Sequence, residues 1–207
     1  MATGALRTGN VNPVALYSSW TLEGWFFQQQ LYGAAMVHVK GPGSTGFWMG
    51  LNGGGRFEVA SDTSGFSYGD GGFPPETGSW YYLCVTMNSA GFMTMNAVQG
   101  SRSWNASYVV SSNANMYSAG AAHTVTLGRR SQGDYQYRHF ISNVRLTNRV
   151  LLTAEMNKFP LNVLPESVLC VQGSPATNLA DGAQMVLQAP GGVFVSQHLS
   201  PLGSYIP

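Results

Sequence analysis

The feature that most constrains this chain is a series of short runs of aromatic and β-branched residues, separated by glycine and proline. The first run, WTLEGWFFQ at residues 20–28, has no helical period and predicts a strand buried on much of both faces. Comparable runs predict further strands at 35–39, 47–51, 56–60, 80–87, 92–98, 108–111, 123–127, 140–146, 167–172, 184–188 and 193–196. Many short strands without a helical pattern are typical of an antiparallel β-sandwich.

The segments between these runs carry turn-forming residues. Gly-Pro-Gly at 41–43 and Gly-Gly-Gly at 53–55 favour tight turns between antiparallel strands. Residues 65–78 hold five glycines and two prolines, which indicates a long loop of the kind that often carries binding residues. The one helical pattern lies at 152–158, where Thr153 is expected to cap a single turn. We therefore predict an all-β chain with one short helical connector.

The low charge of the chain limits which partners it can bind. Asp, Glu, Lys and Arg make up 9% of the 207 residues, the net charge is +1, and the only basic doublet is Arg129–Arg130. Such a chain offers no basic patch for nucleic acid or for an anionic membrane. Residues 1–10 lack the apolar segment of a secretory signal, and no run is long enough for a transmembrane helix, so we expect a soluble protein. A charge-poor surface is also typical of assembly interfaces.

No arrangement of residues in the sequence predicts a catalytic centre. Glycoside hydrolysis requires two carboxyl groups that flank the scissile bond. Glu58 and Asp62 share one face of an extended strand but lie about 13 Å apart, which is too far for that chemistry. The histidines have no second ligand at i+2 or i+4, so we predict structural or surface roles for His38, His123, His139 and His198.

Other titratable residues are predicted to be structural. Cys84 and Cys170 lie inside apolar runs, which predicts two buried free thiols. Glu23 lies on the first buried strand, where a carboxylate needs a partner. Arg145 on a later strand is the candidate for that partner, in a structural ion pair.

Predicted loops supply the candidates for ligand binding. We expect no cofactor, and a calcium site stays open as an alternative because Asp62, Asp70 and Asp134 fall in loops. Aromatic side chains offer flat faces that can stack on sugar rings or fill a protein interface, although ordinary loop packing is the other interpretation. The candidates are Tyr68, Trp104, Tyr108, Tyr117, Tyr135 and Tyr137.

Four motifs in a fixed order carry a family resemblance. They are WTLEGWF at 20–26, GSWYYLCVT at 78–86, VTLGR at 125–129 and FISNVRLTNRVL at 140–151. Together they resemble a laminin-G-like, concanavalin-type jelly roll over residues 20–152. The last motif, with the segment that follows it, resembles variants of this module found in virion structural proteins of tailed bacteriophages.

The resemblance implies three segments: an N-terminal arm at 1–19, the jelly-roll sandwich at 20–152, and C-terminal closing strands with an arm at 153–207. The stretch 167–201 resembles what often precedes the first motif in such modules, yet here it follows the last. Its strands are expected to pair beside the strand at 20–28 within the same sandwich, or to swap into a neighbouring subunit.

The leading hypothesis implied by the resemblance is a non-enzymatic virion structural protein, namely a capsid decoration or cement protein that holds its neighbours through its arms. The expected partners are the major capsid protein or other virion proteins and further copies of the chain, with a trimer favoured. The expected location is the virion, assembled in the host cytoplasm. The alternative is a tail-associated carbohydrate- or receptor-binding module that contacts a host surface glycan. A lectin-like glycosidase ranks third, because the carboxylate pair is absent.

Overall fold

Fourteen strands and one turn of 3-10 helix form the regular structure of the residues that the structure describes. The computed structural model describes residues 5–8, 14–28, 30–62, 67–69, 73–110, 116–128, 140–172, 179–180 and 185–188. In the first half of the chain the strands are β1 (Ala5–Thr8), β2 (Val14–Ala15), β3 (Trp20–Gln28), β4 (Ala34–Lys40), β5 (Gly46–Leu51), β6 (Phe57–Ser61) and β7 (Ser67–Tyr68). The later strands are β8 (Ser79–Met87), β9 (Phe92–Gln99), β10 (Arg102–Val109), β11 (Ala122–Leu127), β12 (Phe140–Thr147), β13 (Ser167–Gln172) and β14 (Met185–Gln188).

The strands form two antiparallel sheets. The eight-stranded sheet has the order β14-β1-β11-β4-β5-β6-β7, and β2 lies beside β1 along β11. The six-stranded sheet has the order β10-β9-β8-β3-β12-β13, so β3 lies in its interior between β8 and β12. Interior placement explains why β3 is buried on both faces, since each face packs against other parts of the chain.

The core lies between the two sheets. Trp20 of β3 stacks on Phe47 of β5, with ring centroids 4.5 Å apart, and so joins the sheets directly. The larger residues that are fully buried in this layer include Trp20, Tyr81, Phe26, Phe47, Leu16, Leu22, Met36 and Met49. Burial of one such side chain stabilises the fold by about 1.5–3 kcal/mol. Alternate residues of most strands therefore point inward, and the rest form two outer faces.

The structure confirms the predicted fold class and most of the predicted strands. The predictions at 20–28 and 167–172 match β3 and β13 in full, and most of the others differ by one residue at an end. The prediction at 108–111 was wrong in extent, because β10 begins at Arg102. The short strand β7 lies within the predicted loop at 65–78, and the predicted strand at 193–196 lies outside the described residues.

The connector after β12 contains the predicted helical turn, but with a different cap. The 3-10 helix spans Thr153–Glu155, and Thr153 does not cap it. Instead, the Glu155 carboxylate accepts a hydrogen bond from the backbone N–H of Leu152, at 2.9 Å. None of the described segments forms a helix that is long and apolar enough to cross a membrane.

Both terminal segments contribute strands to the sandwich. β1 and β2, which fall inside the predicted N-terminal arm, pair with β11. In the C-terminal segment, β13 pairs with β12 and β14 pairs with β1. β12 therefore separates β13 from β3 in the same sheet. The sequence had predicted that this strand pairs directly beside β3 or swaps into a neighbouring subunit.

Candidate functional site

One half of the outer face of the six-stranded sheet is covered by residues 151–162, which we call the strap. Its anchor Leu161 is fully buried, and Phe159 packs edge-on against Trp25, with ring centroids 6.2 Å apart. The indole N–H of Trp25 donates to the backbone oxygen of Lys158 at 2.8 Å. The strap also reaches β8, since the sulfur atoms of Met156 and Cys84 lie 4.0 Å apart. It therefore covers the outer face of β12, β3 and β8 around Arg145, Trp25 and Cys84.

A buried ion pair lies beneath the strap and confirms the predicted partnership of Glu23 and Arg145. Nε of Arg145 donates to Oε1 of Glu23 at 2.8 Å, and the Tyr82 hydroxyl donates to Oε2 of the same carboxylate. Arg145 also donates to the backbone oxygens of Glu155 and Asn162, at 3.1 and 2.6 Å. Burial raises the pKa of Glu23, while Arg145 and Tyr82 act in the opposite direction. The pair fastens the strap and is shielded from ligands.

The two cysteines are free and buried, as predicted. Both lie on the outer face of the six-stranded sheet, where Cys84 is paired with Glu23 and Cys170 with Arg145 in the strand register. Burial raises the pKa of the Cys84 thiol well above its ordinary value. Burial also raises the pKa of the Cys170 thiol, and a thiol held in its protonated form is a poor nucleophile, in keeping with the predicted structural role of both cysteines.

Among the described residues, no segment covers the other half of the same face, which lies on the hairpin of β9 and β10. The two strands pair over eight consecutive positions, and alternate side chains point outward. We call these outward side chains the ribbon face. It consists of four cross-strand pairs, namely Phe92 with Val109, Thr94 with Ser107, Asn96 with Asn105, and Val98 with Ser103.

The side chains of the ribbon face are polar in the middle and uncharged throughout. Ser103, Asn105 and Ser107 are exposed, and the Nδ2 amide N–H of Asn105 donates to Oδ1 of Asn96. A primary amide has two N–H donors and a carbonyl acceptor, so this single bond leaves hydrogen-bonding capacity on both side chains. The hydroxyls of Thr94 and Ser107 lie 3.4 Å apart. The ribbon face can therefore donate and accept several hydrogen bonds without any charge.

An aromatic row borders the ribbon face beyond Val98. Phe27 lies between Trp80 and Phe140, with ring centroids 5.6 and 5.7 Å away. Phe27 and Phe140 are half-buried, and Val98 packs against the same cluster. Partly exposed rings, inclined to one another by 52–63°, therefore border a surface of hydroxyl and amide groups.

The outer face of the eight-stranded sheet has a different character. Nε2 of His38 lies 2.8 Å from Oδ2 of Asp62, and Nζ of Lys40 lies 3.2 Å from the same oxygen. Burial raises the pKa of Asp62, but the hydrogen bonds from His38 and Lys40 outweigh it and lower that pKa overall. A Cβ at position 46 would overlap Oδ2 of Asp62, so Gly46 makes room for the carboxylate. This cluster is a packed ionic group in which His38 is fully buried.

The carboxylates of the described residues are largely committed to basic partners. Ion pairs hold Glu23, Asp62, Glu76, Glu155 and Glu166. In the described part of the chain, no three His, Cys, Asp or Glu side chains are grouped as a metal site requires. Of the calcium candidates, Asp62 is engaged as above, and Asp70 and Asp134 lie outside the described residues.

The structure places four of the six predicted aromatic candidates, and all four pack against the core. Tyr68 and Tyr108 lie 5.6 Å apart, and Trp104 contacts Phe57 at 5.9 Å, so these rings close one side of the sandwich between the sheets. Tyr117 packs edge-on against Trp20, and its hydroxyl donates to the backbone oxygen of Ser18. The remaining candidates, Tyr135 and Tyr137, lie outside the described residues. A ligand role for these aromatics stays a prediction.

Sequence comparison decides the family. The family model of the concanavalin A-like lectin/glucanases superfamily, in its laminin-G form, matches residues 2–157. The chain belongs to this family. The predicted resemblance to a laminin-G-like, concanavalin-type module is thereby confirmed, and its fold is that of the family. No curated protein sequence matches the chain significantly.

Solved structures with this concanavalin A-like fold include proteins of several kinds. A candidate carbohydrate-binding protein from Bacteroides ovatus has a TM-score of 0.60 and 12% identity, over 95% of this chain and 61% of that one. A pentraxin from Limulus polyphemus has a TM-score of 0.51 and 14% identity, over 73% of this chain and 72% of that one. The enzymatically active domain of a tailspike from bacteriophage CBA120 has a TM-score of 0.50 and 11% identity, over 67% of this chain and 23% of that one.

At these identities the likeness shows the concanavalin A-like fold alone. The chain spans less than two thirds of the Bacteroides protein and about a quarter of the tailspike chain. Fold does not determine function, so the function has to be argued from the site.

The ribbon face of this lectin-like sandwich was missed by the sequence reasoning, although the sequence carries a signal for it. In residues 102–109, Trp104, Ala106 and Tyr108 alternate with Ser103, Asn105 and Ser107. A period of two is the pattern of a half-buried strand. Serine and asparagine are rare in strands, which is why the segment was interpreted as a loop before Tyr108.

Proposed function

We propose that this chain is a non-catalytic glycan-binding module, and that the ribbon face with the adjoining aromatic row is its binding surface. The observation that carries the proposal is the combination, on one uncovered sheet face, of partly exposed rings and paired amides and hydroxyls. Sugars present the same two chemistries, because their C–H faces stack on aromatic rings and their hydroxyls need donors and acceptors.

The absence of charge on this surface supports a neutral ligand. No outward side chain of β8, β9 or β10 is acidic or basic. An anionic sugar or phosphate would require a cationic partner, which arginine or lysine supplies in most anion sites. The proposed ligand is therefore a neutral glycan.

The proposal favours a carbohydrate-binding module, which the sequence analysis gave as the alternative, over capsid decoration. The lectin-like fold and a candidate carbohydrate-binding neighbour support glycan binding, whereas nothing in the fold favours a capsid surface. A phage tailspike among the structural neighbours is compatible with a tail-associated module. Virion location, capsid partners and a trimeric state stay predictions, and the copy number of the chain on purified virions tests them.

The direct experiment is binding of the purified chain to an array of neutral and acidic oligosaccharides. We expect retention on neutral glycans and loss of retention in the variant Asn96→Ala/Asn105→Ala, because the half-buried Asn96 amide and the exposed Asn105 amide are both removed. A loss of about 1.5–3 kcal/mol, or roughly tenfold to a hundredfold in affinity, is expected from two hydrogen-bonding groups.

Two controls make the result specific. Asn162→Ala removes an exposed amide at the end of the strap that lies over β12, which β3 and β8 separate from the ribbon face, and should bind as the natural chain does. Incubation of the bound glycan with the chain should release no reducing sugar, because hydrolysis requires a free carboxyl pair. Equal loss of binding in the Asn162 variant, or release of sugar, would contradict the proposal.

A further inference from the structure

The uncovered hairpin forms a shelf beside the strap. Cys84 of β8 contacts the strap through Met156, while Asn96, its register partner on β9, lies on the ribbon face. The covered and uncovered strands are adjacent and only about 4.8 Å apart. The strap therefore forms a wall along one side of the hairpin, and the ribbon face forms the floor.

The floor of this shelf is long in one direction. Phe92 and Val98 mark its two ends on β9 and are separated by six residues, or about 20 Å in an extended strand. That length is several times the width of one sugar ring. The polar pairs Thr94–Ser107 and Asn96–Asn105 follow each other along the same line, so hydrogen-bonding groups recur at regular steps.

An apolar pair closes the far end of the shelf. Phe92 is 45% exposed and Val109 is 69% exposed, although both are large apolar side chains on a strand surface. They face each other across the hairpin at the end opposite the aromatic row. The shelf thus has apolar contacts at both ends and polar contacts between them.

We infer that the ribbon face binds an extended neutral oligosaccharide lengthwise along β9 and β10, with the Phe92–Val109 pair as a second stacking site at its far end. This inference rests on the proposed glycan-binding function and adds the length of the ligand to it. The chain would recognise internal stretches of a neutral polysaccharide, because a single terminal sugar cannot reach both ends of the shelf.

The test is titration calorimetry with length series of neutral oligosaccharides, from two to six units, built from glucose, galactose, mannose or N-acetylglucosamine. For the series that binds, affinity should rise with each added unit until the shelf is filled and should then level off. The variant Phe92→Ser/Val109→Ser should bind the longest member about tenfold more weakly, which corresponds to 1.4 kcal/mol, and the disaccharide almost unchanged.

The controls separate this inference from the function on which it rests. Val163→Ser, another exposed apolar residue, should leave affinities for all lengths unchanged. Binding that is independent of length, or insensitive to the Phe92 and Val109 changes, would overturn the extended site and leave the proposed function intact. If no series binds, both ideas fail. If the double variant instead lowers the sedimentation coefficient of the free protein, the pair belongs to an interface between copies and the inference is wrong.

Discussion

The two halves of the outer face of the six-stranded sheet carry the same kind of hydroxyl side chain, but these hydroxyls have different hydrogen-bond partners in the two halves. A row of hydroxyl side chains crosses all six strands in continuous register, and its members are Ser107, Thr94, Thr86, Thr21, Thr147 and Ser167. In the covered half, the Thr21 hydroxyl donates to the backbone oxygen of Arg149 and accepts from the backbone N–H of Leu151. In the uncovered half, Thr94 and Ser107 bond only weakly to each other.

The difference shows that coverage by the strap, and not residue type, determines whether a polar side chain on this face contributes hydrogen bonds to the fold. Beneath the strap, the Thr21 hydroxyl is engaged by the fold on both its donor and its acceptor side, and on the hairpin the hydroxyls lie at the solvent-facing surface. Charged groups follow the same division, because the Glu23–Arg145 pair is buried while the ribbon face carries no charge. In the described residues, the buried charges on this outer face hold the fold together, and the neutral groups of the ribbon face form its open surface.

The largest expected effect comes from breaking the buried pair. Glu23→Gln keeps the shape of the side chain but leaves the Arg145 guanidinium buried without its counter-charge, which should destabilise the fold by about 3–5 kcal/mol in urea unfolding. Glu76→Gln is the matched control, since it breaks the exposed pair with Arg102 at the start of β10 and should change stability by less than about 1 kcal/mol. Equal losses of stability in the two variants would show that the buried pair beneath the strap contributes no more to the fold than the exposed pair.

The hydroxyl row allows a closer comparison with one kind of substitution. Thr21→Val leaves the buried N–H of Leu151 without its acceptor, so it should cost about 1–3 kcal/mol of folding free energy. Thr94→Val on the hairpin should change stability by less than about 0.5 kcal/mol. Thermal unfolding of the two variants, side by side, measures the difference. A Thr94 effect as large as that of Thr21 would contradict it.

A pH prediction extends the comparison to the eight-stranded sheet. The folded state lowers the pKa of Asp62, so its ionisation stabilises the fold at pH values above the ordinary carboxyl pKa of about 3.9. That stabilisation is lost as the pH falls through the lower folded pKa. Asp62→Asn should therefore flatten the fall in stability below about pH 5, measured by urea unfolding. An unchanged acid slope would show that the ionic cluster contributes little.

The smallest expected effect on stability belongs to the proposed binding surface. The variant Asn96→Ala/Asn105→Ala removes amides that bond only to each other among the described residues, at positions open to solvent. Its free energy of unfolding, measured by thermal unfolding, should stay within about 0.5 kcal/mol of that of the natural chain. A large loss of stability would mean that the amides serve the hairpin and not a ligand.

The fold was largely predictable because its strands are locally encoded. The β3 sequence is rich in aromatic residues and buried on both faces, and the prediction of its bounds was right to the residue. A buried carboxylate on that strand demanded a basic partner, which led correctly to Arg145. The pairing of β1 and β14 could not be predicted, because it joins segments far apart in sequence and only the β14 segment carries a strand pattern.

The candidate site was harder to predict than the fold. The sequence directed attention to aromatics such as Trp104 and Tyr108, and in β10 these are the side chains that point inward. The exposed partners Ser103 and Asn105 have weak strand propensity and no charge, so no local rule marks them. The strap adds a second difficulty, because which half of a sheet it covers depends on tertiary packing.

The pairing of β1 with β14 has a consequence for how this module can be used within larger assemblies. Ala5 lies opposite Gln188 and Thr8 opposite Met185, so the first and the last described strands are neighbours at one edge of the eight-stranded sheet. Segments that adjoin in this way can be joined by a linker, or serve as the point of insertion into a loop of another protein, without breaking the sheets. The proposed binding surface lies on the hairpin of β9 and β10 in the other sheet, so changes at this edge should leave its strand pairing intact.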